Sequence, residues 1–338
     1  MHYPKITIIT PSYNQGNYLE ATILSVLNQE YPNLEYFVID GGSTDHSINI
    51  IRYYDEGINF WVSEKDKGQS DAINKGFRRA TGDIITWINS DDQLMPRALH
   101  RVAEYFNKYP DMYVLHGRTI LFGNKMVDKV KGCPVVDDLM PYYLGALPFP
   151  QPSSFFRREV ITKYGLLDQS FHYGMDYDFF LRIALNHDFM AVDDIFSKYL
   201  LHENSKSVAF SQKFVKDYSK AFSRLLRSFP FSENMLMELN KFGLYEKGID
   251  TYKISKVIDE ETLKKALLIN LKYRLSFYYE DLAIAEIRKI CGFIRHFDKD
   301  YFKHDPEVGA IYMRTRFLGR LPLKVLRSFK KIVSKYIS

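Results

Sequence analysis

Through its first hundred residues the chain alternates short β-rich runs with stretches patterned for helices. Apolar and β-branched side chains crowd residues 5–10, 34–40, 59–63 and 83–88. Each run gives way to polar or glycine-bearing residues, and then to apolar positions three and four residues apart. After the first run, Asn17 and Glu20 have the spacing of a capping box, and Ile23, Val26 and Leu27 continue a helical stripe. This rhythm predicts an α/β fold with a mostly parallel sheet covered by helices. Ligands of such sheets bind beyond the carboxyl ends of the strands. The polar clusters fall there: Pro11-Ser12-Tyr13-Asn14, Asp40-Gly41-Gly42-Ser43-Thr44-Asp45, Ser63-Glu64-Lys65-Asp66 and Asn89-Ser90-Asp91-Asp92.

The punctuation changes near residue 210. Of 31 glycines and prolines, 23 lie before it, and the segments 214–229, 261–278 and 282–297 carry apolar residues at helical spacing. The chain is therefore expected to divide into a sheet domain, 1–210, and a helical C-terminal region, 211–338. Over 321–338, Val325, Leu326, Phe329, Ile332, Val333, Tyr336 and Ile337 face away from Lys324, Arg327, Lys330, Lys331 and Lys335. Such a basic amphipathic helix either lies on an anionic membrane surface or packs its apolar side on the protein.

Composition narrows the classes. The 338 residues are 46% hydrophobic and 26% charged, and no run approaches the roughly 20 apolar residues that cross a bilayer. The apolar stretch 6–9 is too short for the core of an export signal. Cys133 and Cys291 are the only cysteines and have no close Cys/His spacing, which excludes a disulfide scaffold or zinc finger and points to the reducing cytoplasm. The net charge of +5 includes +8 from residues 308–338, so the remainder is acidic at −3. An acidic body argues against a nucleic-acid partner.

Acidic clusters at neighbouring strand ends surround one crevice and invite a cation. Asn89-Ser90-Asp91-Asp92 offers only short oxygen-bearing side chains, suited to Mg²⁺ or Mn²⁺ bridging phosphate oxygens. The alternative is a turn capping a helix that starts near Met95. Neither Gly-x-Gly-x-x-Gly nor Gly-x-x-x-x-Gly-Lys-Ser/Thr occurs, which removes the common dinucleotide and P-loop classes.

Four motifs in order, Thr10-Pro11-Ser12-Tyr13-Asn14, Asp40-Gly41-Gly42-Ser43-Thr44-Asp45, Asp66-Lys67-Gly68-Gln69-Ser70-Asp71-Ala72-Ile73-Asn74-Lys75-Gly76 and Asn89-Ser90-Asp91-Asp92, resemble the nucleotide-binding half of family 2 glycosyltransferases with the Rossmann-like GT-A fold. The likeness continues through Gln151-Pro152-Ser153, Met175-Asp176-Tyr177-Asp178 and Leu201-His202-Glu203-Asn204-Ser205, so it covers about the first 210 residues. It implies a nucleotide-sugar donor, UDP-sugars first. Pro11 and Ser12 would supply backbone contacts, Tyr13 would lie against the base, and Asp40 would accept from its ring N–H. Asp66 would approach the nucleoside, and Ser90 the ribose. Asp91 would bind the metal on the diphosphate, with His202 completing that site.

The resemblance also makes Asp176 the catalytic base of an inverting transfer to a glycan or lipid-linked acceptor, as in surface polysaccharide synthesis. That role suits a cytoplasmic protein peripheral to the inner face of the membrane. Asp178 would stand about 200° from Asp176 around a helix and so is not its equivalent. Two positions depart from the pattern: Asn89 stands where many relatives carry Asp, and Met175 replaces Glu. An extended segment 148–152, followed by Phe155 and Phe156, would frame an acceptor cleft. The competing class is a catalytically inactive nucleotide-sugar or glycan binding protein on the same fold.

Overall fold

The structure, a computed structural model, describes residues 2–123, 128–134, 136–202 and 211–317. It divides into two units, Met1–Leu139 with Leu147–Val208, and Met140–Ala146 with Ala209–Ser338. In chain order the first unit begins β1 (Ile6–Ser12), α1 (Gly16–Leu27), β2 (Leu34–Asp40), α2 (Ser47–Tyr53), β3 (Phe60–Ser63), α3 (Gln69–Arg79), β4 (Ile84–Trp87), β5 (Gln93–Leu94), α4 (Ala98–Lys108), β6 (Val114–Phe122) and β7 (Lys129–Lys131). After α5 (Met140–Gly145), which belongs to the second unit, it resumes with β8 (Ser154–Arg157), α6 (Glu159–Tyr164), α7 (Met175–Ala184) and β9 (Phe189–Leu200).

The strands form one α/β sheet in the order β3-β2-β1-β4-β8-β6-β9-β5, with β7 on the side of β6. Strands β1 to β4, β6 and β9 run one way and β5, β7 and β8 the other, so the sheet is mostly parallel. Parallel strands covered on both faces read as continuous apolar runs. Ile6, Ile8, Val38 and Ile84 meet Leu19, Ile23 and Val26 of α1 and Leu99 and Val102 of α4. On the other face Phe77 of α3, Trp87, Phe156, Phe179 and Phe180 form an aromatic cluster with ring centroids 5.2 to 6.3 Å apart.

That packing corrects two expectations. Phe155 and Phe156 are fully buried on opposite faces of β8 and frame no cleft. The 148–152 segment is not an extended arm, since Gln151–Ser153 form a buried 3₁₀ turn whose Gln151 Nε2 donates to Trp87 O at 2.9 Å.

The second unit is helical: α5, α8 (Ser211–Arg227), α9 (Glu233–Lys241), α10 (Glu260–Glu280), α11 (Ile284–Phe297), α12 (Lys299–His304) and α13 (Pro306–Phe317). Asp259 caps α10 by accepting from Thr262 N at 2.7 Å. Its buried face carries Leu263, Leu267, Leu271 and Leu275. Among the described residues no helix is long and apolar enough to cross a membrane. The basic segment 321–338 lies outside the described residues. Cys133 and Cys291 are not joined in a disulfide.

At the amino ends of the central strands, Glu35 is 7% exposed. Burial alone would raise its pKa. The Lys5 ammonium at 2.7 Å, the hydroxyls of Thr7 and Thr81 at 2.6 Å each, and the Thr81 amide at 2.8 Å outweigh that and lower it from 4.5 to about 2. A depressed carboxylate pKa gives stability that is complete above the unfolded value and is lost as pH falls through the folded one. Urea unfolding of the wild type is expected to lose on the order of 2–3 kcal/mol from this group between pH 5 and pH 2. Glu35→Gln should remove that part of the acid limb, and an unchanged slope would refute the assignment.

Candidate active site

The loops after β1 and β2 interlock. Asn14 N–H donates to Ser43 Oγ (2.8 Å), Thr44 N–H to Asn14 Oδ1 (2.8 Å), Gln15 N–H to Ser47 Oγ (3.2 Å) and Gly16 N–H to Asp45 Oδ2 (2.9 Å). The capping box expected from Asn17 and Glu20 does not form. Asn17 lies inside α1, Glu20 accepts from Tyr54 OH at 2.8 Å, and the first amides of α1 are served by Asp45 and Ser47 instead. A partner from another loop does the work of a local cap.

Across the carboxyl ends of three strands, Ser12, Asp40 and Ser63 stand in register. Asp40 is fully buried; its Oδ2 accepts from Gly42 N, Ser43 N and Ser63 Oγ (3.1, 2.8 and 2.6 Å), and its Oδ1 from Ser43 Oγ. The carboxylate thus organises the loop and keeps one oxygen lightly used. Gly42 has φ +83°, and a Cβ on Gly41 would sit 2.5 Å from Asp66 Oδ2, so the glycine pair lets Asp66 close over this loop. Pro11 and Ser12 are buried, and Tyr13 is 59% exposed with its ring available to a flat ligand. Ser12 Oγ is buried without a hydrogen-bond partner.

Beyond β4 the 89–92 segment does not cap the following helix. Residues 93–94 pair with β9, and α4 begins only at Ala98. Asp91 Oδ2 lies 3.1 Å from His202 Nε2, with Tyr18 of α1 against the imidazole at a centroid distance of 4.5 Å. Among the described residues no group of three His, Cys, Asp or Glu could hold a metal. The pair nevertheless offers donors a divalent cation takes, a carboxylate oxygen and an imidazole nitrogen side by side, and such an ion would draw its remaining ligands from water and phosphate oxygens.

Ser90 is buried. Asp92 is 1% exposed, and burial, followed by the neighbouring Asp91 carboxylate, pushes its pKa well above the usual carboxylate range. It accepts from Asn89 Nδ2 (3.2 Å) and, more weakly, from Leu200 N (3.3 Å). Asn89 Oδ1 accepts from Gln69 Nε2 at 2.7 Å. An amide can do both, which gives a physical reason for the departure from Asp at position 89.

Asp176 lies in the first turn of α7, half-buried, with Oδ1 accepting from Tyr177 N at 2.8 Å. Asp178 is fully buried and ion-paired to Arg182 at 3.1 Å, so it holds the fold. Met175, the residue in place of Glu, is 6% exposed, and its Sδ accepts from Ser70 Oγ at 2.8 Å. Sequence reasoning expected a helix after the third strand but missed the part α3 plays in linking these segments. Gln69, at the start of α3, touches the 89–92 segment, and its neighbour Ser70 touches Met175. Asn74 pairs both amide atoms with the backbone of Leu167, at 2.9 and 3.0 Å. The available signal was Ser70 and Asn74 four apart among Ile73 and Phe77, polar residues on the apolar face of a helix.

The model of the family described as Glycosyl transferase family 2 matches residues 7–173. An uncharacterized glycosyltransferase of Mycobacterium tuberculosis is 33% identical over 187 residues, covering 54% of this chain and 70% of that protein. A putative teichuronic acid biosynthesis glycosyltransferase, TuaG, of Bacillus subtilis is 36% identical over 105 residues, 30% of this chain and 42% of that one. The crystal structure of S. aureus TarS 1–349 in complex with UDP-GlcNAc superposes with a TM-score of 0.59 at 15% identity, covering 92% of this chain and 90% of that one. The chain spans half of the longer TarS structure. At that identity the likeness is one of fold.

Asn89→Asp is expected to set a second carboxylate against Asp92 and cost about 1–2 kcal/mol at pH 7. The deficit should shrink as pH falls and a proton held between the two carboxyl groups restores a donor; urea titrations giving the same loss at every pH would refute the like-charge account.

Proposed function

The chain belongs to glycosyltransferase family 2, and from that premise we propose that it is an inverting, divalent-metal-dependent transferase. It moves a sugar from a nucleoside-diphosphate sugar, UDP-sugars first, to a hydroxyl of a glycan or lipid-linked acceptor in surface polysaccharide synthesis. The observation that carries this reading is the Asp91–His202 pair beyond β4, joined through α3 to the helix that bears Asp176. The UDP-GlcNAc bound by TarS supports the choice of nucleotide, and the putative place of the Bacillus relative in teichuronic acid biosynthesis supports surface polysaccharide synthesis.

Tyr13 offers its exposed ring to the base, with the backbone at Pro11 and Ser12 beside it. Asp40 presents Oδ1 to the ring N–H, Asp66 closes over the nucleoside, and Ser90 meets the ribose. Asp91 and His202 would hold Mn²⁺ or Mg²⁺, which when bound would supply a Lewis acid for the charge on the departing diphosphate. Asp176 accepts the proton of the acceptor hydroxyl as that oxygen bonds to the anomeric carbon; the bond from that carbon to the diphosphate oxygen breaks with its electron pair leaving on oxygen. The second reading, a binding protein without turnover, rests on Met175 standing in place of an acid.

Release of UDP from candidate UDP-sugars separates the two. With Mn²⁺ present, Asp91→Ala and Asp176→Asn are each expected to lower turnover about 100-fold or more. Asp176→Asn should retain metal-dependent UDP binding, and Asp91→Ala should lose it. Binding without turnover across donors and acceptors would favour the second reading. Association with the inner face of the membrane rests on the charge pattern of 321–338. Deleting those residues is expected to abolish binding to anionic liposomes, and unchanged binding would reject that part.

A further inference from the structure

We infer that Gln69 and Asn74 are positioning residues, through which α3 sets the place of Asp176 relative to the Asp91 segment. The inference rests on the roles proposed above for those two carboxylates. They come from different crossovers of the sheet, and covalent connection does not fix their spacing. Helix α3 grips both.

At its first residue, Gln69 Nε2 donates to Asn89 Oδ1 at 2.7 Å, and Asn89 passes the restraint on by donating to Asp92 Oδ2 at 3.2 Å. One residue on, Ser70 Oγ meets Phe171 O (3.3 Å) and Met175 Sδ (2.8 Å), directly before Asp176. Asp71 Oδ1 accepts from Gln169 Nε2 at 3.1 Å.

The firmest hold is Asn74, 1% exposed. Its Nδ2 donates to Leu167 O at 2.9 Å, and its Oδ1 accepts from Leu167 N at 3.0 Å. A primary amide that pairs with both polar atoms of one residue fixes translation and rotation together, whereas apolar contacts can slide. Between these two grips the helix is a rod of about 7.5 Å, five residues at the usual rise. The apolar face of α3 buries Ala72, Ile73 and Phe77 and supplies the stability. Of its polar positions, Gln69, Ser70, Asp71 and Asn74 reach segments that lead to Asp91 or Asp176, while Lys75 pairs with Glu64.

Steady-state kinetics of full-length Gln69→Ala and Asn74→Asp, with UDP binding in Mn²⁺ and amide hydrogen exchange, test this. Gln69 is half-buried, so its variant keeps the fold even if Asn74→Asp, which sets a carboxylate oxygen against Leu167 O, does not. The expected result is a fall in kcat of about 100-fold, as for a misplacement of about 1 Å. Donor KM and UDP affinity should stay within about twofold. In an Asp176→Asn background, Gln69→Ala should cost almost nothing further, because the spacing it sets between the Asp91 segment and Asp176 matters only while that carboxylate is present.

A loss of equal size in both backgrounds, or a rise in KM with kcat unchanged, would overturn the inference. If wild type turns over no donor, the proposed function fails, and exchange decides the placement separately. Faster exchange over 89–92 in Gln69→Ala or over 168–176 in Asn74→Asp supports it; unchanged exchange in both overturns it.

Discussion

Parallel pairing in register is the constraint on which the site depends. Two parallel strands cannot be joined by a tight turn; each must be followed by a crossover. The loops that leave β1, β2, β3 and β4 therefore emerge on one edge of the sheet. Because Ser12 faces Asp40 and Asp40 faces Ser63, those loops start level with one another. Groups from four distant stretches of sequence then share a rim that none could form alone, and the rim's own polar atoms become its mortar. Asp40 is held by hydroxyls and amides of two loops, and the start of α1 is capped by residues of the next crossover.

Much of this was legible in the chain. The four apolar runs of the first hundred residues correspond to β1 through β4, because strands buried on both faces have little choice of composition. The motifs at their ends mark the rim for the same reason, since glycine and short polar residues are what a tight loop at a strand end demands. The helices of the second unit were readable from spacing, as α10 and α11 match the expected segments closely.

What escaped was tertiary in origin. A capping box can be read only when the cap is local, and here the capping groups lie about thirty residues away. The segment before β8 looked exposed because prolines usually mark surface turns, yet Gln151 spends its amide on the end of β4 and draws the turn inside. Asp91 and Asp176, whose roles are proposals, stood out through the motifs that resemble the family, while Gln69 and Asn74 were visible only as letters of a motif. Their contacts depend on which loop the fold brings alongside, and no local pattern encodes that. Asn89 is similar: its exchange for Asp looked like a lost charge, and the structure makes it a two-way amide beside a buried acid.

The seven residues from Met140 to Ala146 belong to the helical unit although the chain on either side of them belongs to the sheet unit. Asn270 donates to Gly145 O at 2.9 Å, and a Cβ on Gly145 would come 2.5 Å from Ala266 O, so this helical turn is fitted closely to α10. An ancestral exchange that replaced everything after residue 208 would strand Pro141, Tyr143 and Leu144 without their apolar surroundings. The C-terminal helices cannot be traded between relatives as a cassette with one splice point; inheritance of that half has to carry a matching patch from the middle of the other.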